Sequence, residues 1–233
     1  MKITNLKKQQ GSFLLNVTDA TFEKGKVHGI IGSNGSGKTT LSKIIMGTLP
    51  YDSGSIDYEG LTPRDITMTG QRPYLMHTNV YNNLVYPLKV RGEAIDENYV
   101  DYWLEKAGLQ DKKKQYALSL SSGEQQKLSF IRALIFKPKL VIVDETLSNL
   151  DPDSADLFEK LILEQQEKDP VTWITISHQL VHIRKICDKV HFMEKGDIIE
   201  KATPYNMFEN PAHPSVIKYL ASTEVSFKGQ IKG

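Results

Sequence analysis

A glycine-rich loop between an apolar strand and a helix constrains this chain more than any other segment. Residues 32–39 read Gly-Ser-Asn-Gly-Ser-Gly-Lys-Thr and fit the pattern G-x-x-x-x-G-K-[ST] at every fixed position. Glycines let such a loop curl until successive backbone N–H groups point at phosphate oxygens, and the following helix adds the positive end of its dipole. Lys38 supplies a cation for the outer phosphates of a nucleotide, and the Thr39 hydroxyl supplies a ligand for Mg²⁺. The predicted nucleotide-binding residues are Ser33, Asn34, Gly35, Ser36, Gly37, Lys38, Thr39 and Thr40.

Composition and charge place the chain among ordinary globular proteins. It has 233 residues, with 29 Lys+Arg against 28 Asp+Glu, which argues against disorder and removes the usual electrostatic case for a nucleic-acid binder. Cys187 is the single cysteine, so no internal disulfide is available. The most apolar runs, such as Leu140–Val143, fall far short of the roughly 18 residues of a spanning helix, and the first residues lack the apolar core of a signal peptide. We therefore expect a soluble, cytoplasmic protein that acts at a membrane only through a partner.

Strands alternate with helices along much of the chain, which predicts an α/β fold with a mostly parallel sheet and helices on both faces. The predicted strands are Lys2–Leu6, Phe13–Thr18, Val27–Ile31, Ser55–Tyr58, Arg64–Thr69, Leu140–Asp144, Thr172–Ser177, Lys189–Met193 and Ile198–Lys201. Helical periodicity predicts helices at Thr39–Met46, within residues 79–138 and at Pro152–Lys168. The three lysines at 112–114 are most simply interpreted as a solvated loop.

An apolar strand that ends in two carboxylates predicts the catalytic side of the site. Leu140–Val143 leads into Asp144 and Glu145, and ligands of open α/β sheets bind along the carboxyl edge of the strands. Asp144 suits a magnesium role, usually through water, and Glu145 is aimed differently and can polarise a water in line with a γ-phosphate. Taken by themselves, Asp144 and Glu145 would more simply be interpreted as solvated carboxylates at the end of a strand. The glycine loop is what favours the catalytic interpretation.

A short serine–glycine segment carries the most specific resemblance. Residues 120–126 read Leu-Ser-Ser-Gly-Glu-Gln-Gln and resemble the signature motif of the ABC ATPases, LSGGQ in its commonest form, about twenty residues before the Asp-Glu strand. Gln71 resembles the glutamine of that family's Q-loop, residues 148–151 resemble its D-loop, and His178 resembles its switch histidine. Because these motifs stand in the family's order, the chain is similar to ABC ATPases from about Ile3 to Met193.

The resemblance implies an architecture and a set of roles. The chain would be a single ABC ATPase domain, 1–233, in which residues 1–78 and 139–233 form a RecA-like P-loop NTPase core with an N-terminal antiparallel β-subdomain and residues 79–138 an inserted α-helical subdomain. Two such domains, identical or closely related, would sandwich two ATP molecules, with Ser121, Ser122 and Gly123 of one chain facing the γ-phosphate held by the other. The implied catalytic residues are Glu145, His178 and Gln71, and the implied ligands of Mg²⁺ are Thr39, Gln71 and Asp144.

Three positions depart from the family pattern. Ser122 stands where the signature usually has glycine, and Glu124, which adds negative charge near a phosphate, stands where it often has glutamine. The family usually stacks adenine on an aromatic residue upstream of the phosphate loop, but Gln10 holds that position here and Phe13 is the nearest aromatic residue. The sequence leaves open which of these two contacts the adenine and predicts weak discrimination of the base.

The resemblance implies an ATP-binding and ATP-hydrolysing subunit of an ABC transporter. A stand-alone chain of this size resembles bacterial importer subunits for small solutes, and the sequence leaves both the solute and the direction of transport open. Its partners would be a transmembrane permease subunit, a second nucleotide-binding subunit and, indirectly, a solute-binding protein, with no nucleic acid, and it would lie on the inner face of the cell membrane. Residues 71–84 are a candidate docking surface because their aromatic and Arg content suits an interface core; packing within the helical insertion is the equal alternative. The rival function is an ABC ATPase that moves no solute and drives an iron–sulfur assembly scaffold or a mechanical change in a membrane complex.

Overall fold

The computed structural model describes residues 1–70, 72–146 and 152–230. The chain divides into two compact units, which we call the first unit (Met1–Gly60 with Thr172–Gly233) and the second unit (Leu61–Val171). None of the helices in the described ranges is long and apolar enough to cross a membrane.

Both units contain strands and helices. The strands are β1 (Lys2–Gln10), β2 (Phe13–Thr21), β3 (Val27–Ile31), β4 (Ser53–Asp57), β5 (Ile66–Gly70), β6 (Leu140–Asp144), β7 (Thr172–Ile176), β8 (Lys189–Glu194) and β9 (Asp197–Ala202). The helices are α1 (Lys38–Ile45), α2 (Val80–Arg91), α3 (Glu97–Lys106), α4 (Ser122–Leu134), α5 (Pro152–Lys168), α6 (Leu180–Ile186), α7 (Pro204–Glu209) and α8 (Pro214–Gln230). Short 3₁₀ turns cover Pro63–Asp65, Gln110–Lys112 and Ala117–Ser119.

The first unit contains antiparallel and parallel strands. β1 pairs antiparallel with β2 and with β4, in the order β2-β1-β4. β3 lies between β7 and β8 and is parallel to both, and β9 is antiparallel to β8. Every residue of β3 and β7 is buried, as expected where helices cover both faces of a parallel sheet. The parallel strands therefore provide the rigid base from which the loop after β3 departs.

In the second unit, a pair of parallel strands accompanies a helical core. β5 and β6 are parallel, with Gly70 opposite Asp144. α4 and α5 meet through the stacked rings of Phe130 and Phe158, whose centroids are 4.1 Å apart at an interplanar angle of 11°. Both rings are fully buried, so the helix that starts at the signature segment is anchored in the core of this unit.

These observations confirm the predicted α/β fold class. Three predicted elements have the observed bounds: Val27–Ile31, Leu140–Asp144 and Pro152–Lys168. The predicted division of the chain at residues 79 and 138 stays a prediction.

The strand β1 continues four residues beyond its predicted end at Leu6, and β2 also runs past its predicted end. The ladder between them reaches Gln10 opposite Phe13, where Gly11, with φ of 57°, turns the chain. Pairing with β2 therefore extends β1 beyond Leu6, its last apolar residue, whereas β2 continues through the buried Ala20 to Thr21, opposite Lys2. The predicted strand at Arg64–Thr69 starts later, at Ile66, because Pro63–Asp65 forms a 3₁₀ turn.

Candidate nucleotide-binding site

Three glycines shape the predicted phosphate loop in the first unit. Gly32, Gly35 and Gly37 have φ angles of 143°, 78° and 107°, in the region that side chains rarely adopt. A Cβ atom on Gly32 would lie 2.1 Å from the carbonyl oxygen of Met193, and one on Gly37 would lie 2.8 Å from Cζ of Phe13. Gly32 therefore excludes a side chain by space as well as by backbone angle, whereas at Gly37 the close atoms are side-chain ends and the backbone angle is the main constraint. Gly35 is different, because nothing lies within 4 Å of its added Cβ.

Lys38 lies beneath this loop. Its residue is 5% exposed, and its Nζ donates hydrogen bonds to the carbonyl oxygens of Gly32 and Ser33 at 2.8 and 2.9 Å. In a trans peptide the C=O and N–H groups point in opposite directions, so the N–H groups of Ser33 and Asn34 point away from the ammonium. Ser33, Asn34 and Gly35 are exposed. The loop thus offers outward N–H groups around a buried positive charge, which suits an anion.

Helix α1 starts without a capping side chain. Gly37 is its N-cap, and no side chain accepts from the N–H groups of its first turn; phosphate oxygens satisfy such groups well. Ser36 is buried, and its carbonyl oxygen accepts a hydrogen bond from the Gly196 N–H at 2.9 Å. Thr39 is exposed in the first turn and offers the oxygen ligand that Mg²⁺ prefers. The loop and the helix start therefore fit a magnesium-bound triphosphate.

Gln10 and Phe13 both lie beside the start of α1. The Thr40 hydroxyl donates to Oε1 of Gln10 at 3.2 Å, and the Phe13 ring is the nearest neighbour of an added Cβ on Gly37. Gln10 is exposed and Phe13 is half-buried. Both candidates for the adenine contact therefore lie beside the start of α1, and which of them contacts the base stays a prediction.

Asp144, a predicted magnesium ligand, and Glu145, the predicted base, follow one another at the end of β6, in the second unit. Every residue of β6 is buried, and Asp144 is 6% exposed. Glu145 is half-exposed and has φ of 53°, a conformation that costs a non-glycine residue energy and often marks a functional position. The backbone therefore leaves the extended conformation of β6 at Glu145, directly after Asp144. The described residues contain no group of three or more His, Cys, Asp or Glu that could hold a metal ion.

A buried pair of hydroxyls fixes the chain after Glu145. Oγ1 of Thr146 lies 2.8 Å from Oγ1 of Thr69, which precedes the last residue of β5. Nothing in the sequence indicated this contact, because the two threonines are far apart along the chain. Gln71 comes directly after β5 and lies outside the described residues, as do the predicted D-loop residues at 148–151.

The predicted switch histidine follows a strand, as expected. β7 ends at Ile176, and His178 is exposed in the turn before α6. In that turn, Ser177 is fully buried and its Oγ accepts a hydrogen bond from the Gln179 N–H at 3.0 Å. The turn thus fixes the backbone on both sides of His178 and leaves the residue itself at the surface of the first unit.

The signature segment starts α4 through a reciprocal cap. Ser121 is the N-cap, and its Oγ accepts from the Glu124 N–H at 3.4 Å while Oε2 of Glu124 accepts from the Ser121 N–H at 3.0 Å. This capping box could be read from the Ser-x-x-Glu spacing. Ser122 is exposed and Gly123 is half-exposed. The N-terminus of α4 is therefore accessible from solvent.

Glu124 does not leave an uncompensated charge at this turn. Lys112 forms an ion pair with its Oε1. This bond, helped by the hydrogen bond from the Ser121 backbone, holds the pKa of the Glu124 carboxyl below its usual value. Lys112 could not be identified from the sequence, since nothing in the spacing of residues 112 and 124 marks them as partners.

Comparisons with known proteins agree with these motifs. The family model described as ABC transporter matches residues 15–148. The chain is 37% identical over 206 residues to the tungstate uptake system ATP-binding protein TupC of Peptoclostridium acidaminophilum, covering 85% of this chain and 96% of that protein. It is 33% identical over 222 residues to the methionine import ATP-binding protein MetN 1 of Listeria monocytogenes serotype 4b, covering 89% of this chain and only 65% of that protein's length. A solved ATP-binding cassette of an ABC transporter, in its ADP conformation, matches with a TM-score of 0.77 and 27% identity over 94% of this chain and 97% of that one.

The family model covers more than half of the chain, and the first of these relatives matches along almost its whole length. The fold, the glycine loop and the capped signature helix all agree with that match. This chain belongs to the ABC transporter family, as an ATP-binding subunit with the family's ATPase activity.

Proposed function

We propose that this ATPase powers the import of a small solute through a separate membrane subunit. The observation that carries the nucleotide part of the proposal is the loop whose carbonyl oxygens close on the buried Lys38 ammonium. The import part is supported by the relatives, one named for tungstate uptake and the other for methionine import. Tungstate and methionine are both small solutes, and other subunits of the transporter would select the solute.

In the proposed site, the loop from Ser33 to Gly37 and the first turn of α1 bind the phosphates of ATP. Lys38 is already desolvated beneath the loop, so its charge acts on a bound phosphate at a low local dielectric. Thr39 and Asp144, together with Gln71, would hold Mg²⁺. When bound, that ion would neutralise charge on the β- and γ-phosphates.

Hydrolysis requires a water oxygen to bond to the γ-phosphorus while the bond from that phosphorus to the bridging oxygen of ADP breaks. We assign Glu145 as the group that accepts the proton of this water. Its strained backbone supports the assignment, because strain persists where the surrounding structure holds a side chain in one working direction. His178 and Gln71 would contact the γ-phosphate and the attacking water, and so keep them in register.

The proposed working form is a dimer in which two chains share two ATP molecules. Ser121, Ser122 and Gly123 of one chain would face the γ-phosphate bound by the other chain. An accessible N-terminus of α4 supports this role, since a helix of 13 residues presents N–H groups and a positive dipole end to an anion. ATP would thus favour closure, and hydrolysis would release it.

The second unit offers a surface for the membrane subunit. Tyr74 is 87% exposed, and Tyr86 and Val90 are 49% and 64% exposed one turn apart on α2. Exposed large apolar side chains of this kind are typical of interaction sites. Arg132 Nη2 donates to the carbonyl oxygen of Tyr74 at 2.5 Å, which ties this surface to the end of α4. We propose the surface around Tyr74 and α2 as the docking site of the permease.

Co-purification tests the transport function directly. An affinity-tagged copy of the chain, solubilised in mild detergent from its own cells, should bring down a polytopic membrane protein. Tyr74→Glu should lose that partner and keep its basal ATPase, whereas Tyr51→Glu, an exposed tyrosine of the first unit, should retain it. Recovery of soluble scaffold proteins in place of a membrane subunit would contradict the import proposal.

A further inference from the structure

The three lysines at positions 112–114 do not form a uniform solvated run. Lys113 pairs with Asp101 at 2.7 Å and with Glu97 at 3.2 Å, so it ties its turn to α3. Lys112, one residue earlier, instead forms its ion pair with Glu124 in the first turn of α4. These two neighbouring lysines therefore form ion pairs with different helices of the second unit. Of their contacts with the described residues, only that of Lys112 involves the signature segment.

Both oxygens of the Glu124 carboxylate are engaged. Oε2 accepts from the Ser121 hydroxyl and from the Ser121 N–H, each at 3.0 Å, while Oε1 accepts from the Lys112 ammonium. The carboxylate therefore holds the serine hydroxyl on one side and a cation on the other. Glu124 and Lys112 are both partly exposed at 23% and 36% of their side-chain surface, so neither group is locked into the interior.

The ion pair between Lys112 and Glu124 offsets an unfavourable charge next to the proposed phosphate site. The residues proposed to meet the triphosphate, Ser121 to Gly123, are within one turn of Glu124. A carboxylate at a helix N-terminus competes with a phosphate for the same N–H groups and dipole, and it also repels the phosphate. A cation paired to the far oxygen cancels that repulsion and leaves the cap intact.

We propose that Lys112 is a positioning residue of the nucleotide clamp: by pairing with Glu124, it neutralises the signature turn so that this turn accepts the ATP held by a second chain. The inference rests on the proposed function, because it assumes that the signature segment closes on ATP. Lys112 itself does not contact the nucleotide. Lys112 acts only by neutralising Glu124. A basic loop that attracted ATP directly would not need Glu124, so the two roles can be distinguished.

The test measures ATP-dependent dimerisation by sedimentation velocity. All chains carry Glu145→Gln, so that bound ATP persists. The variants added to that background are Lys112→Ala, Lys112→Arg, Glu124→Gln and the double change Lys112→Ala with Glu124→Gln. Lys113→Ala is the matched control, since it removes the neighbouring lysine and leaves the pair with Glu124 in place. ATP binding to each monomer is measured separately with a fluorescent ATP analogue.

Lys112→Ala should raise the ATP concentration for half-maximal dimerisation by about fivefold, the size expected for a partly exposed ion pair. Glu124→Gln should dimerise like its parent, because glutamine keeps the capping box and carries no charge. The double variant should also dimerise like its parent, since without the carboxylate there is nothing for the lysine to neutralise. Lys112→Arg and Lys113→Ala should match the parent as well. High salt should reduce the defect of Lys112→Ala, because screening weakens the repulsion.

Two results would overturn the role of Lys112: unchanged dimerisation in Lys112→Ala, or a double variant as defective as Lys112→Ala alone. The second result would mean that the lysine acts on folding or on the nucleotide directly. Failure of the proposed function looks different, because the Glu145→Gln parent would then bind ATP and stay monomeric with Lys112 present. That outcome would overturn the clamp and this inference together.

Discussion

The hydroxyl oxygens of Thr69 and Thr146 lie 2.8 Å apart in the interior of the second unit, joining β5 to the residue after Glu145. The two residues are 3% and 1% exposed. The contact therefore holds the backbone next to the strained Glu145, whose φ of 53° needs support from its neighbours.

Thr146→Val should lower both stability and turnover. It leaves the Thr69 hydroxyl without this partner in the interior, so the free energy of unfolding should fall by about 1–3 kcal/mol. Relaxation of the Glu145 backbone should lower kcat for ATP hydrolysis and leave KM almost unchanged. Urea unfolding and steady-state kinetics measure the two effects.

The double variant Thr69→Val with Thr146→Val is the control for stability. Replacing both hydroxyls by methyl groups leaves no buried donor unpaired, so much of the lost stability should return. If Thr146→Val hydrolyses ATP at the normal rate, the contact does not position Glu145.

Alanine at two glycines of the phosphate loop should have very different effects. Gly32→Ala places a Cβ 2.1 Å from the Met193 carbonyl oxygen, whereas Gly35→Ala meets nothing within 4 Å. Gly35→Ala should therefore cost only the strain of its positive φ, about 1–2 kcal/mol. Gly32→Ala should displace the loop from β8 and abolish ATP binding, measured by titration calorimetry. Equal affinities in the two variants would contradict the close approach of loop and strand.

A buried histidine pair predicts a loss of stability in acid. His28 Nδ1 lies 3.2 Å from Nε2 of His191, and both residues are buried. Burial lowers the pKa of His191 from 6.5 to about 3 and also lowers the pKa of His28. Between pH 6.5 and 3 the unfolded chain therefore binds more protons than the folded one. The free energy of unfolding should fall with falling pH in that window, by up to about 1.4 kcal/mol per pH unit from His191, and the lowered pKa of His28 acts in the same direction.

Urea unfolding at pH 7 and pH 5 measures this dependence. His191→Leu should make the free energy of unfolding less dependent on pH, because it removes the group whose pKa burial lowers most. His77→Gln changes an exposed histidine of the second unit and is the matched control. A pH dependence as steep in His191→Leu as in the unmodified chain would contradict the account.

Two substitutions separate nucleotide binding from hydrolysis. Glu145→Gln should bind ATP with near-normal affinity and lose most of its turnover, because the amide cannot accept the proton of the attacking water. Lys38→Ala should instead weaken ATP binding itself, since it removes the charge around which the loop closes. Calorimetry and phosphate release measure the two steps. Normal turnover in Glu145→Gln would remove it as the base.

The elements that the sequence predicted to the residue are those with purely local signals. β6 has a continuous apolar run before Asp144, β3 is rich in Val and Ile, and the loop after β3 is defined by glycines whose backbone angles only glycine adopts readily. The start of α4 was predicted only approximately, although its capping box is a local signal that needs only residues three positions apart.

Contacts between distant segments could not be predicted in the same way. Lys112 pairs with Glu124 and Thr69 meets Thr146 only after the second unit has folded, and neither pair has a sequence spacing that indicates it. The charge of Glu124, a concern from the sequence alone, turned out to be paired. The end of β1 could not be predicted for the same reason: the strand continues beyond its last apolar residue because it pairs with β2.

The central claim is that the phosphate loop of one chain and the signature turn of another enclose one ATP. Cysteine crosslinking tests it most directly, because the single native thiol, Cys187, is buried, whereas Asn34 and Ser122 are exposed. A Glu145→Gln chain carrying Asn34→Cys and Ser122→Cys should form a disulfide-linked dimer under mild oxidation when ATP and Mg²⁺ are present, and neither single-cysteine chain should give the same ATP-dependent product. A chain that binds ATP and yields no linked dimer, or forms the disulfide within a monomer, would contradict the claim.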